Sequence, residues 1–336
     1  MRVLITGGAG FIGSNFIRYL INNRPDWQIT NFDNLTYAGN LANLDDLRDN
    51  DNYRFIKGDI SNIDDVRAVL ESGFDNVVNF AAESHVDRSL YDPGIFIKTN
   101  VLGTQLLLDL AQKTGISKFL QVSTDEVYGS QNVREYADEK SPLLPNSPYA
   151  ASKASADLVC RSYFKSFDMP VIITRSCNNY GPFQFPEKVI PFFMTRALKD
   201  EILPLYGDGL NSRDWIYVED NCEALLRVLE SGDPGQIYNI GSNNELTNLD
   251  LTQIILKLLG KPSSLIKFVE DRPAHDRRYG LNFDKIENKL GWLPKIRFID
   301  GIQKTIDWYL ANKQWWENII SGEYRKFYEQ HYRNLR

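Results

Sequence analysis

Cysteine is scarce in this chain and unpatterned: Cys160, Cys177 and Cys222 are odd in number and widely spaced. That spacing excludes a disulfide framework, a zinc ligand set and a redox motif, and it predicts buried thiols in a reducing compartment. Histidine is also rare, with three residues, and neither His85 nor His275 has a metal-spaced partner, so no metal site is expected. Basic residues show no excess. The 38 lysines and arginines face 44 acids, for a net charge of −6. This leaves no electrostatic footprint for nucleic acid or an anionic membrane. No apolar run is long enough to span a bilayer. There is no internal repeat and no low-complexity linker. The N-terminus, Met1-Arg2-Val3-Leu4-Ile5-Thr6-Gly7, runs straight into a strand and a glycine turn without the layout of a signal peptide, so a cytoplasmic protein is expected.

The chain is an ordinary globular one, 336 residues long and 43% hydrophobic, enough for one large domain with an added lobe. Arg2 to Thr6 reads as a strand. It meets Gly7, Gly10 and Gly13 in a G-x-x-G-x-x-G string, and a helical pattern through Phe16, Ile17 and Leu20 follows. Strand, glycine turn and helix together suit a dinucleotide: small residues admit a diphosphate, and the helix N-terminus offers free N–H groups. A second strand, Gln28 to Phe32, ends in Asp33, about twenty residues past the glycines, where an acid can bind both ribose hydroxyls. No cation follows it directly, which favours NAD over NADP.

Alternation continues with a strand at Tyr53 to Lys57 before Asp59, a helix at Ile63 to Glu71, and a strand at Asn76 to Phe80 before Ala81-Ala82. One long helix is expected over Pro93 to Lys113. The run Lys118 to Val122 then delivers Ser123-Thr124-Asp125-Glu126 to a strand's carboxyl end, where open parallel sheets bind ligands. If the chain turns there, the two acids can flank a substrate, one protonated and one ionised. Tyr149 and Lys153 stand four apart on a helix running to about Phe167, so they share a face, and the ammonium is expected to lower the phenol's pKa.

In this order, the glycine string, Asp33, Ala81-Ala82, Ser123-Thr124 and Tyr149-x-x-x-Lys153 resemble the extended short-chain dehydrogenase/reductase family. Four further stretches resemble its dTDP-glucose 4,6-dehydratases: Glu83-Ser84-His85-Val86-Asp87-Arg88-Ser89, Ser123 to Gly129, Asn178-Asn179-Tyr180-Gly181-Pro182 and Phe185-Pro186-Glu187-Lys188. The Asp125-Glu126 pair is the most specific of these features. The likeness runs to around Tyr279, and it departs at Ala274, where the family commonly has glycine.

The resemblance implies an α/β fold, a Rossmann-like doubly wound parallel sheet with a smaller mixed C-terminal substrate lobe. It divides the chain into a cofactor domain at 1–177, to which the chain later returns, and a lobe over 178–336. It implies that NAD is held by Gly7, Gly10, Phe11, Ile12, Gly13, Asp33, Asn34, Leu35, Thr36, Asp59, Ile60, Ala81, Ala82, Ser84, Thr99, Ser123, Tyr149, Lys153 and Asn179. A nucleotide sugar would be held by Ser84, Thr124, Asn178, Lys188, Val189, Pro204, Leu205, Tyr206, Arg213, Asn248 and the run Asp271, Arg272 to His275. The two arginines suit a diphosphate chemically. Catalysis would fall to Thr124, Asp125, Glu126, Tyr149 and Lys153. A homodimer through the helices at Thr99 to Lys113 and Ala151 to Phe167 is implied too. Other NDP-hexose dehydratases, a sugar epimerase or a dinucleotide-binding sensor remain open at this point. The aromatic tail from Ile302 to Arg336 interleaves Trp308, Trp315 and Trp316 with acids, so it reads as packing or contact helices rather than a nucleic-acid stripe.

Overall fold

In the computed structural model, residues 1–321 are described. Strand β1 (Arg2–Thr6) is apolar throughout its middle and lies inside the large sheet. Helix α1 (Phe11–Asn23) starts at Gly10, which is extended, and turns Phe16, Ile17 and Leu20 inward. It stops just before Pro25, which cannot continue a helix. Strands β2 (Gln28–Asp33) and β3 (Tyr53–Lys57), helix α2 (Ile63–Leu70) and strand β4 (Asn76–Asn79) follow. Then come α3 (Val86–Tyr91), α4 (Pro93–Phe96), α5 (Thr104–Thr114), β5 (Lys118–Thr124), α6 (Pro148–Phe167) and β6 (Val171–Ser176).

The remaining elements are β7 (Asn178–Tyr180), α7 (Val189–Leu198), β8 (Leu203–Tyr206), β9 (Ser212–Tyr217), α8 (Val218–Ser231), β10 (Ile237–Ile240), β11 (Glu245–Thr247), α9 (Asn248–Leu258), β12 (Ile266–Val269), α10 (Asp284–Leu290), α11 (Phe298–Ala311) and α12 (Lys313–Ser321). Seven strands form a wholly parallel sheet in the order β10-β6-β5-β4-β1-β2-β3. A Rossmann-like, doubly wound sheet results, with an apolar core on each face. A third core, around Phe193, Leu205, Trp215, Leu251 and Ile306, belongs to the lobe built on two small sheets, β11-β9-β7 and β12-β8.

The expected single helix over Pro93 to Lys113 is interrupted. Ile97–Gly103 is a π-helical turn between α4 and α5. Its cause is tertiary. Asn100 is buried there and bonds the Glu83 backbone on both sides, at 2.8 and 3.0 Å, and the Ser152 hydroxyl at 2.8 Å. Such widened turns cluster at functional sites, and Thr99 in this one faces the cleft described below. Asn178–Tyr180 forms a short strand, β7, paired in parallel with β9. The tail aromatics Tyr324, Phe327, Tyr328 and Tyr332 lie outside the described residues.

Candidate active site

Strand β5 ends because Thr124, still extended, caps a tight turn: its hydroxyl accepts from the Glu126 N–H at 3.3 Å. Gly129 then takes a positive φ of 72°, and a side chain there would strike the Leu144 carbonyl. Val127 and Tyr128 go into the core, so Asp125 and Glu126 are left at the sheet's carboxyl edge. Asp125 is 3% exposed, and its Oδ2 has no hydrogen-bond partner among the described residues. Burial pushes its carboxyl up to about 8, helped by Glu126 and Asp214 and opposed by Arg213. Burial also raises Glu126, but the nearby cations Arg272, Arg213 and Lys188 oppose it. Both acids are thus raised by burial, and Asp125 is held protonated near neutral pH, while three cations oppose the rise at Glu126.

Helix α6 is set by Ser147, whose hydroxyl accepts from Ala150 N–H at 3.1 Å, with Pro148 in the first turn. This places Tyr149, Lys153 and Asp157 on one buried face. The Tyr149 phenol hydrogen-bonds Thr124 and packs edge-on to Phe96. The expected lowering of its pKa is not found. Burial, then Glu126, raises it, and the hydrogen bond from Thr124 only partly offsets the rise. The Lys153 ammonium instead donates to the Val122 carbonyl at 2.7 Å, and burial lowers its own pKa against the pull of Asp157. Asp157 in turn pairs with Arg175 at 2.8 Å, and Arg175 bonds the Tyr128 hydroxyl at 2.9 Å.

Two cavities meet at this turn. The larger, about 350 Å³, is lined by every residue expected to hold the cofactor except Leu35. Leu35 contributes its backbone N–H to Asp33 at 2.7 Å instead. Asp33 also accepts from Ala9 N–H at 2.9 Å. No arginine lines this cleft. The N-terminus of α1 has no side-chain cap and no acid in its first turn. Gly7 has φ +70°, and a Cβ on it would stand 2.6 Å from Ala81 N, so the close approach of this turn to the end of β4 requires glycine, and the open helix N-terminus beside it suits a diphosphate. These residues fit NAD.

The smaller cavity, about 210 Å³, is lined by Asn178, Lys188, Val189, Pro204, Leu205, Tyr206, Arg213, Asn248, Arg272 and His275. Ser84 and Thr124 face the larger cavity instead, and Asp271 lines neither. Asp271 holds His275 at 2.6 Å. Arg272 pairs with Asp87, and Arg213 bonds the Asp276 carbonyl at 2.9 Å above the Tyr279 ring. Ala274 takes φ 54°, the left-handed form that glycine favours. Burial lowers His85 to about 3 and His275 to about 4, so both rings are neutral and suited to orienting neighbours.

Glu126, Asn178, Glu187 and Lys188 line both cavities. The sequence quoted Glu187 within a motif but gave it no role. It is buried, is raised by burial to about 7, accepts from Tyr37 O–H at 3.0 Å, and lies 3.7 Å from both His85 and Arg88. Tyr279, whose hydroxyl bonds Asp276 at 2.6 Å, was missed as well.

A family model described as GDP-mannose 4,6 dehydratase matches residues 4–305. The chain belongs to that family. Within it, the chain is 49% identical over 321 residues to a dTDP-glucose 4,6-dehydratase of an Actinoplanes species, covering 94% of this chain and all of the relative. It is 52% identical to the low-salt glycan biosynthesis protein Agl12 of Haloferax volcanii, over 94% of this chain and all of that one. Among solved structures, DesIV of Streptomyces venezuelae, a dTDP-glucose 4,6-dehydratase crystallised with NAD, superposes with a TM-score of 0.93 at 49% identity, over 95% of this chain and all of that one.

Proposed function

We propose that this member of the family is an NAD-dependent dTDP-glucose 4,6-dehydratase, forming dTDP-4-keto-6-deoxyglucose for deoxysugar synthesis. The observation that carries this reading is the buried Asp125–Glu126 pair, with the Asp125 proton held by burial, at the junction of a dinucleotide cleft and a second, cation-lined cavity. Two relatives at 49% identity and near-complete coverage bear the same name.

The chemistry is one of internal redox. NAD, when bound, supplies a hydride acceptor at C4 and later a donor at C6. Tyr149, oriented by Thr124, would take the proton of the C4 hydroxyl as its phenolate, a form that burial disfavours and that the positive charge of bound NAD would favour. The C4 ketone acidifies the C5 hydrogen, which is why oxidation must come first. Glu126 removes that proton, and Asp125 protonates the departing C6 hydroxyl, so water leaves. Glu126 afterwards returns a proton to C5. Asp125 can donate because burial keeps its proton on. Lys153, anchored on the Val122 carbonyl on the same helix face as Tyr149, would hold the cofactor's ribose when NAD is bound. Arg213, Arg272 and Lys188 face the substrate's diphosphate.

A cytoplasmic location fits the three buried free thiols. No described helix is long and apolar enough to cross a membrane. A homodimer through the helices at 99–113 and 151–167 fits the exposed Leu102, Leu158 and Phe167 there.

The test is incubation with dTDP-glucose, UDP-glucose and GDP-mannose separately, following product mass. Loss of one water from dTDP-glucose, without net NADH, is expected. Faster loss from another sugar would reassign the nucleotide. Altered stereochemistry without water loss would make the protein an epimerase.

A further inference from the structure

The C-terminal aromatic helices have no part in the chemistry above, yet one of them reaches the glycine turn. Trp315, on α12, donates its indole N–H to Asn43 Oδ1 at 2.9 Å. Asn43 sits in a short 3-10 segment after β2 and is 2% exposed. Its amide NH₂ donates to the Ala9 carbonyl at 2.9 Å, and Asn40 N–H donates to the same oxygen at 3.0 Å. Ala9 N–H is held by Asp33. The peptide units on both sides of Ala9 are therefore fixed, immediately before the open N-terminus of α1.

We propose that Trp315 is a positioning residue for cofactor binding: through Asn43 it keeps the Ala9 carbonyl turned away from the diphosphate. The physical need is clear. A carbonyl oxygen swung into the helix N-terminus would set a partial negative charge against the phosphates that its N–H groups attract. An asparagine amide can present either atom to Ala9, and only the NH₂ is useful there. The indole is a donor only, so its bond to Oδ1 selects the useful orientation. Asn43 also holds Arg18 through its backbone carbonyl at 2.7 Å, so its position is fixed and only the amide needs setting.

This inference rests on the NAD reading, and its test separates the two. NADH is loaded onto the full-length protein without sugar, and its release into excess NAD is followed by fluorescence. Trp315→Phe keeps the ring and removes the donor. It should speed release about three- to tenfold, the effect of one partly buried hydrogen bond. The KM for the sugar, and kcat at saturating NAD, should hold. Asn43→Asp puts a carboxylate against Ala9 and should speed release more. Adding Trp315→Phe to it should then change little, because the two act in one chain. Trp308→Phe serves as the packing control. Trp308 packs edge-on to Trp315, with ring centroids 5.0 Å apart, in the same cluster, so its variant should release NADH as the wild type does. Wild-type release from Trp315→Phe, or equal acceleration by both tryptophan variants, overturns the proposal while leaving the cofactor reading intact. Failure of the wild type to bind NADH overturns both.

Discussion

Strands β2 and β5 each end by presenting an aspartate to the same cleft, and the two carboxyl groups are wired differently. Asp33 is 8% exposed and Asp125 is 3% exposed, so burial raises the pKa of both. Around Asp33 that rise is resisted by N–H donors from Ala9 and Leu35. Around Asp125 it is reinforced by Glu126 and Asp214, and one oxygen has no donor among the described residues. Burial alone therefore decides only the direction. The supply of backbone donors and neighbouring charges decides whether that rise is resisted, as at Asp33, or reinforced, as at Asp125.

The comparison breaks most visibly on the β5 side. Asp125→Asn should reduce turnover by about 10²- to 10⁴-fold, the usual worth of a positioned acid. C4 oxidation should survive, so a single turnover should accumulate bound NADH. Equal loss of oxidation and elimination would show that Asp125 is not reserved for the later step. On the β2 side, Asp33→Asn should raise the Kd for NAD by about 10- to 100-fold, through the lost charge and one orphaned N–H. Its kcat at saturating NAD should stay near wild type, as titration calorimetry and steady-state kinetics together would show.

Stability against pH sharpens the contrast further. The folded pKa of Asp125, about 8, lies above its unfolded value of 3.8. Its contribution is fully present below pH 4 and is lost as pH rises towards 8, because only the unfolded chain releases the proton in that window. Asp125→Asn escapes this loss, so it should gain on the wild type by a few kcal/mol between pH 4 and 8 in denaturant melts. A constant gap between the two proteins would place the ionisation elsewhere. Smallest of all, Arg213→Gln removes a cation that pulls Asp125 down. It should move the alkaline limb of kcat/KM upward by about half a unit, leaving NAD affinity alone.

Much of this was legible in the letters, for identifiable reasons. Tyr149 and Lys153 share a face because four residues make about one helical turn, and adjacent acids after an apolar run declare a strand end. Strands β7 and β11, each three residues long, are too short for any period to register. The π turn at Ile97–Gly103 hides inside a helical pattern because its cause, Asn100 reaching Glu83 and Ser152, is tertiary. Glu187 meets Tyr37 across 150 residues, which no local spacing announces. The Tyr149 phenol went the wrong way because a lysine four residues off is visible in sequence, whereas the burial that outweighs it is not.

The passage from β6 to β7 is a single residue, Cys177. The large sheet is still incomplete there. Its outermost strand, β10, arrives only after β7, α7, β8, β9 and α8 have been laid down. Order of synthesis and order of assembly must therefore differ. A nascent chain ending at the crossing has every glycine and Tyr149 but leaves β6 as an open edge, a surface prone to wrong pairing. The large sheet is finished by residues read after the first strands of the lobe, so the two are interleaved along the chain.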